Sequence, residues 1–340
     1  MTASRKVRIT ALIFLAPTII GLLVFRLIPF GWSFALSFYD WKIFDTPQFA
    51  DLHLETLTAA QADLESRGLT MRSTFVASPT RGGGSWLAHA TFANGLWVTD
   101  QPSYGAVLGS GRRTLFHIAR DAGFRTAAVM PQITLAWPES ATMGFDTILA
   151  AADLGYEGLP FNWVTMPDQF TLLAMDRVLD PDNQDDAPVF VQVALGSSHA
   201  PWVPVPDLIA WEDVGDGTIY DPIVAASDTP EVVWKDHDRV RKQYGLAVDY
   251  ALQTVFAYVA LHGEQAPLFI VVGDHQAAGF VALDERPDVP VHVIGPAHLV
   301  ELLDHTDFHD GLIPPADATV SSMEDLRALI LNSFSSNVPQ

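Results

Sequence analysis

A serine behind three consecutive glycines is the first place in this chain where chemistry could reside. The segment reads Ser78-Pro79-Thr80-Arg81-Gly82-Gly83-Gly84-Ser85-Trp86-Leu87-Ala88-His89 and continues in a helical pattern to Gly95. Glycines let the backbone turn tightly, and a serine in the first turn of a helix meets amide donors and the positive end of the dipole, both suited to phosphate or sulfate. A glycine-rich loop with serine as a plain N-cap accounts for the same residues. The segment is neither a Walker loop nor a Gly-x-Ser-x-Gly elbow. A second cluster, Gly273-Asp274-His275-Gln276, ends the apolar run Leu268–Val272. Carboxylate and imidazole there are donors for Zn²⁺ or Mn²⁺, at the strand end where open α/β sheets place ligands. A capping Asp beside a surface His is the bland alternative. The third cluster, Ser197-Ser198-His199-Ala200-Pro201-Trp202, also follows a strand-like run. Arg81, Trp86 and His89 lie near Ser85 in sequence and could line a pocket, although each also reads as a packing or surface residue.

These clusters need a scaffold. From Asp51 onward, β-branched runs alternate with helical patterns, which predicts an α/β domain with a largely parallel sheet flanked by helices. Thr126–Met130, Val189–Leu195, Leu268–Val272 and Val289–Ile294 read as buried strands. Arg112–Ala122, Gln169–Leu179, Val240–Leu261 and Met323–Phe334 read as helices. In the longest, Val240, Tyr244, Val248, Ala251, Val255 and Val259 recur at helical spacing and read as core. Asp180–Ala187 and Pro201–Pro230 read as loops or lids, being rich in Pro and Asp.

Charge and composition narrow the function. With 340 residues and 49% hydrophobic content, the chain has the material for a large core. Residues 1–50 carry five Lys or Arg against two acids, and the remainder carries 14 against 38, a net charge of −24. Such a body repels nucleic acid, so none is expected as a partner. Without a single cysteine there is no disulfide, thiolate zinc site or cysteine nucleophile. Before the acidic body, Arg5, Lys6 and Arg8 precede the apolar run Ile9–Phe25, which is long enough to cross a bilayer. The basic flank places the N-terminus in the cytoplasm and the body outside, as a single-pass anchor; a cleaved signal peptide is the rival. Residues 1–50 resemble the first membrane segment of a sugar-type ABC transporter permease, through the run GLLVFRLIPFGWSFALSFYDW.

Taken in order, Gly-Gly-Gly-Ser85, Ser-Ser-His199-Ala-Pro and Gly-Asp274-His275 resemble the alkaline-phosphatase/sulfatase superfamily, especially lipoteichoic-acid synthase and phosphoethanolamine-transferase relatives. The likeness covers residues 51–340, including Leu115–Met130 and the Met166-Pro167-Asp168-Gln169 turn. It implies an alkaline-phosphatase-like fold and a divalent metal, zinc or manganese. It implies that Ser85 is nucleophile and metal ligand, that Asp274 and His275 bind the same metal, and that His199 holds substrate oxygens. The absence of cysteine excludes a formylglycine nucleophile and favours phospho-group transfer or hydrolysis on lipid or cell-envelope-polymer head groups. The family's first strand, which ends in an acidic metal ligand, has no counterpart here, and the chain reads as a junction of two genes. Glu55 is the substitute ligand the sequence offers. A metal-free serine hydrolase using Ser85 with His199 or His275, and an inactive fused fragment with an incomplete site, are the competing readings.

Overall fold

The computed structural model describes residues 47–179, 187–283, 285–303 and 307–335. The apolar run 9–25, expected as a membrane anchor, and most of the expected 180–187 loop lie outside the described residues. The first described element is helix α1 (Pro47–Ser66), followed by strand β1 (Thr70–Ala77) and helices α2 (Ser85–Asn94), α3 (Gln101–Gly109) and α4 (Leu115–Asp121). Then come β2 (Arg125–Met130), β3 (Thr147–Ala150), α5 (Asp168–Leu179), β4 (Val189–Val193) and the long α6 (His237–His262). The chain continues through β5 (Phe269–Val272), β6 (Asp288–Gly295), β7 (His309–Asp310), β8 (Val320–Ser322) and α7 (Asp325–Phe334).

The strands form two sheets. In one the order is β5-β6-β1-β7 with β8 also on β1; in the other it is β3-β2-β4. The smaller sheet is wholly parallel, whereas β1 pairs antiparallel with β6 and β7, and β5 pairs antiparallel with β6. The expectation of a largely parallel sheet is therefore corrected to a mixed architecture. Alternation of strands and helices fixes an α/β class but not the direction of each strand. β1 was also missing from the sequence reading, because Thr70-Met71-Arg72-Ser73-Thr74 lacks an apolar run. Ser73 and Thr74 are nonetheless buried. Ser73 Oγ donates to the Gly311 carbonyl at 2.7 Å and lies 2.7 Å from His292 Nδ1 on β6, so a polar pair is satisfied inside the sheet.

α6 holds the sheets' surroundings together. Asp236 caps it by accepting from the amides of Asp238 and Arg239 at 2.9 and 3.3 Å. Its length serves three apolar clusters in turn: Val240 and Ala247 near its start, Phe256 and Val259 further on, and Tyr258 toward the β2-β4 side. Of the predicted stripe, Val240 and Val259 are fully buried, and the rest is partly covered. α6 is the described helix long and apolar enough to cross a membrane, and half of that apolar window is buried in the fold. The expected 201–230 loop contains short helical turns at Trp211–Asp213 and Thr218–Tyr220 and a helix at Asp221–Ala226.

β4 and β5 stand at the ends of their sheets. Their sequences, Val-Phe-Val-Gln-Val and Phe-Ile-Val-Val, have the near-continuous apolar character of strands covered on both faces, yet every residue in them is only partly buried. Among the described residues, β4 pairs only with β2 and β5 only with β6. Both strands lead into the loops that carry the candidate histidines.

Candidate active site

Gly84 turns the chain into α2. Its backbone is left-handed, with φ 84° and ψ 31°, and no side chain caps the helix. A Cβ at Gly84 would lie 2.9 Å from Thr80 Oγ1. That hydroxyl is itself fixed by donating to the Gly83 carbonyl at 2.5 Å. The Leu87 amide donates to the Gly84 carbonyl at 2.8 Å, and no side chain caps the amides before it, which leaves the positive end of the helix, with Ser85 as its first residue, free to face an oxyanion.

The loop after β5 is zipped to this glycine loop through backbone atoms. The Gly82 amide donates to the Gln276 carbonyl at 2.8 Å, and Arg81 and Gln276 form a parallel bridge. Ser78 Oγ donates to the Asp274 carbonyl at 2.5 Å. As a result Ser85 Oγ lies 3.3 Å from His275 Nε2, and Asp274 Oδ2 lies 3.5 Å from the same nitrogen. The other carboxylate oxygen of Asp274 accepts from the His275 amide at 2.8 Å. His275 Nδ1 is 2.9 Å from the Gln276 carbonyl. Donation from Nδ1–H to that carbonyl leaves the Nε2 lone pair directed to Ser85 and Asp274.

Two neighbours complete the electrostatic picture. His89 follows Ser85 by one helical turn and so shares its face. Burial lowers its pKa, with the Asp274 charge opposing that shift and the His275 charge adding to it, so a neutral imidazole lies within the field of the pair. Tyr244 on α6 has its phenol pKa raised by burial and then by the Asp274 charge. Of the other residues near Ser85, Trp86 is 51% exposed and donates through Nε1 to Gln101 Oε1 at 3.1 Å. Arg81 pairs with Glu285 at 2.7 Å.

His199 sits on the loop after β4 and is exposed. Its Nδ1 lies 2.6 Å from the Ala200 carbonyl, and its amide donates to the Gly196 carbonyl at 2.9 Å, closing a turn. Ala200 and Trp202 pack in the same apolar cluster as Ala277, which places this loop beside the one carrying His275. The turn is clamped by Asp168, a fully buried residue at the start of α5, whose Oδ1 accepts from the amides of Gly196 and Ser197 at 2.8 Å each.

The structure thus brings Ser85, Asp274 and His275 together and sets His199 on an adjoining loop. Glu55 is exposed on α1 and makes no hydrogen bond or ion pair with them. Its neighbours His53 and Thr56 face Asp249 of α6. Sequence reasoning assigned no role to Ser78, Gln276 or Asp168. The Pro-Asp-Gln at the start of α5 was the available signal, since an acid after proline opens helices, but nothing local shows that this one is buried. The hydroxyl, carboxylate and imidazole around Ser85 are an O, O, N donor set suited to a zinc- or manganese-type ion. Among the described residues no three His, Asp or Glu side chains form a metal-ready group.

A helix-opening serine facing an Asp-His pair at strand ends is the arrangement that the resemblance to the alkaline-phosphatase/sulfatase superfamily led us to expect. Residues 30–288 match the sulfatase family, and the chain belongs to it. The match begins ahead of the boundary near residue 50 that the sequence led us to expect. The fold is similar to that of the lipoteichoic acid synthase LtaP from Listeria monocytogenes, with a TM-score of 0.53 at 12% identity, covering 84% of this chain and 66% of that one. It also aligns with a protein in the alkaline phosphatase superfamily from Vibrio parahaemolyticus, with a TM-score of 0.48 at 17% identity, covering 80% of this chain and 60% of that one. The chain therefore spans less than two thirds of either. No curated protein matches.

Proposed function

We propose that this chain is a membrane-anchored, metal-dependent phospho-group transferase or phosphohydrolase that acts through Ser85 on lipid or cell-envelope-polymer head groups. The observation that carries the proposal is the 3.3 Å approach of Ser85 Oγ to His275 Nε2 at the uncapped start of α2. Open amides of α2 receive the phosphate oxygens and orient the phosphorus toward Ser85. Ser85 Oγ, 3.3 Å from His275 Nε2, gives up its proton to solvent water, since Nε2 and Asp274 would be engaged in holding the ion. Ser85 Oγ then bonds to phosphorus as the bond to the leaving oxygen breaks, and the phosphoserine passes its phospho group to water or to an acceptor hydroxyl. His199, on the adjoining loop, stabilises charge on the substrate oxygens. A zinc or manganese ion held by Ser85, Asp274 and His275 supplies Lewis acidity when bound.

The metal-free serine hydrolase fits the geometry less well. In a triad the carboxylate orients the imidazole from Nδ1. Here Asp274 approaches Nε2, and Nδ1 is taken by a backbone carbonyl. The inactive reading is favoured by the thin donor set and by the edges of β4 and β5, which no strand among the described residues pairs with on their outer sides. Phosphodiester cleavage by the full chain with added Zn²⁺ or Mn²⁺, before and after chelation, separates the three readings. Loss on chelation and recovery with metal supports the proposal; activity indifferent to chelation supports the serine hydrolase; absence of activity with every metal supports the inactive reading. Protease added to intact cells tests the anchor formed by residues 9–25, since it should degrade the acidic body.

A further inference from the structure

Asp168 is an expensive residue for its place. It is fully buried and its Oδ2 has no hydrogen-bond partner, so an ionised carboxylate there is only half satisfied. What it does hold is specific. Oδ1 accepts from the amides of Gly196 and Ser197, and the Asp168 amide donates back to Ser197 Oγ at 2.9 Å. The clamped segment is the turn closed by His199 N–H to the Gly196 carbonyl. Gly196 is packed so closely that a Cβ there would lie 2.0 Å from Gln132 Nε2, so the turn is also braced from its other side. The adjacent Gln169 anchors a different loop: its Nε2 donates to the Ile209 carbonyl at 2.7 Å and its Oε1 accepts from Tyr220 at 3.0 Å. The start of α5 is therefore a junction from which two loops are hung, and the carboxylate serves the one that bears His199.

We propose that Asp168 is a positioning residue for His199, acting through the amides of Gly196 and Ser197. A charged acceptor binds backbone amides more strongly than a neutral one, which gives the buried carboxylate a function that a neutral side chain of the same shape fulfils less well. The groups facing it are those two amides, the Ser197 hydroxyl, and the phenol of Tyr250 on α6, neutral because burial raises its pKa. Burial also raises the Asp168 carboxyl to about 6, partly offset by the bonds from Ser197 and Gly196. The clamp is consequently tight above that pH and weaker below it. The role of His199 toward substrate rests on the proposed function; the clamp itself does not.

Amide and histidine NMR of the full-length chain tests this without requiring turnover. In the wild type the Gly196 and Ser197 amide protons should move with an inflection near pH 6. Asp168→Asn, which keeps an acceptor but cannot titrate, should flatten that response. Asp168→Ala should make the His199 ring mobile while the Asp274 and His275 signals stay in place. Identical titration of the two amides in wild type and Asp168→Asn, or an unchanged His199 in Asp168→Ala, overturns the proposal. Should Asp168→Ala fail to fold, the Asp168→Asn titration decides alone. A loosened turn with unchanged turnover would uphold the clamp and remove His199 from the proposed reaction.

Discussion

The loops after β4 and β5 look alike in sequence and are built on opposite principles. Each follows an apolar strand, and each presents a histidine whose Nδ1 lies against a backbone carbonyl, that of Ala200 for His199 and that of Gln276 for His275. The His275 loop is zipped to the glycine loop by bonds between neutral groups, the Ser78 hydroxyl to the Asp274 carbonyl and the Gly82 amide to the Gln276 carbonyl. The turn bearing His199 hangs from a buried, titratable carboxylate. Where Ser85 meets Asp274 and His275, the fold uses bonds between groups that carry no titrating charge. Where His199 is presented, it uses a carboxylate whose charge pH does alter.

The largest expected effect breaks the first loop's purpose while keeping its structure. Ser85→Ala should lower phosphodiester cleavage by about 10³-fold or more, the range seen when a nucleophile is removed, and should leave thermal unfolding unchanged. Retained turnover would eliminate the nucleophile assignment. Next, the two loops should separate in metal analysis. His275→Ala and Asp274→Asn should reduce zinc or manganese bound per chain, whereas His199→Gln should keep the metal and lose about 10²-fold in turnover, as for removal of one oxyanion donor. If His199→Gln lost metal too, the division between the loops would be wrong.

A smaller effect concerns pH. The Asp168 carboxyl stands at about 6 in the fold against an ordinary 3.8, so its contribution to stability is fully present below the ordinary value and is lost as pH rises through about 6. His292, buried on β6, has its imidazole lowered from 6.5 to about 4, so its contribution is present above 6.5 and is lost as pH falls toward 4. Each slope is about 1.4 kcal/mol per pH unit, and the two oppose between about 4 and 6. In urea unfolding, Asp168→Asn should lose stability relative to the wild type as pH falls from about 6 toward 4. Parallel profiles for the two proteins would contradict the assignment. The smallest effect belongs to Glu55. Exposed and unpaired with the site, Glu55→Gln should change stability by no more than about 0.5 kcal/mol and leave metal content as it is. A drop in bound metal would show that it reaches the ion after all.

What was legible in the sequence follows from what local chemistry dictates. Strands such as Arg125–Met130 and helices such as His237–His262 carry their apolar pattern openly and appear close to where that pattern put them. The Ser85, Asp274 and His275 grouping was readable because each follows a sharp local signal, a glycine run or a strand end. β1 was not, since its buried Ser73 is satisfied by His292 from 219 residues away. Strand direction in the larger sheet was equally hidden, because antiparallel pairing of β5 with β6 depends on how the connection folds back. Asp168 shows the same limit at the site: its sequence context describes a helix opening, and only the packing of the β4 turn against it discloses a clamp.

Gly84 has a further consequence, in the currency of mutation. Every codon one base away from glycine that encodes another amino acid encodes one with a Cβ. At this position that atom meets a φ of 84° and a Thr80 hydroxyl 2.9 Å away, itself tied to the Gly83 carbonyl. No single-base missense change can therefore vary the approach to Ser85 gradually; each forces the loop or the helix start to move. A residue that performs no chemistry thus has few neighbours in sequence space, and drift in this chain must go around it.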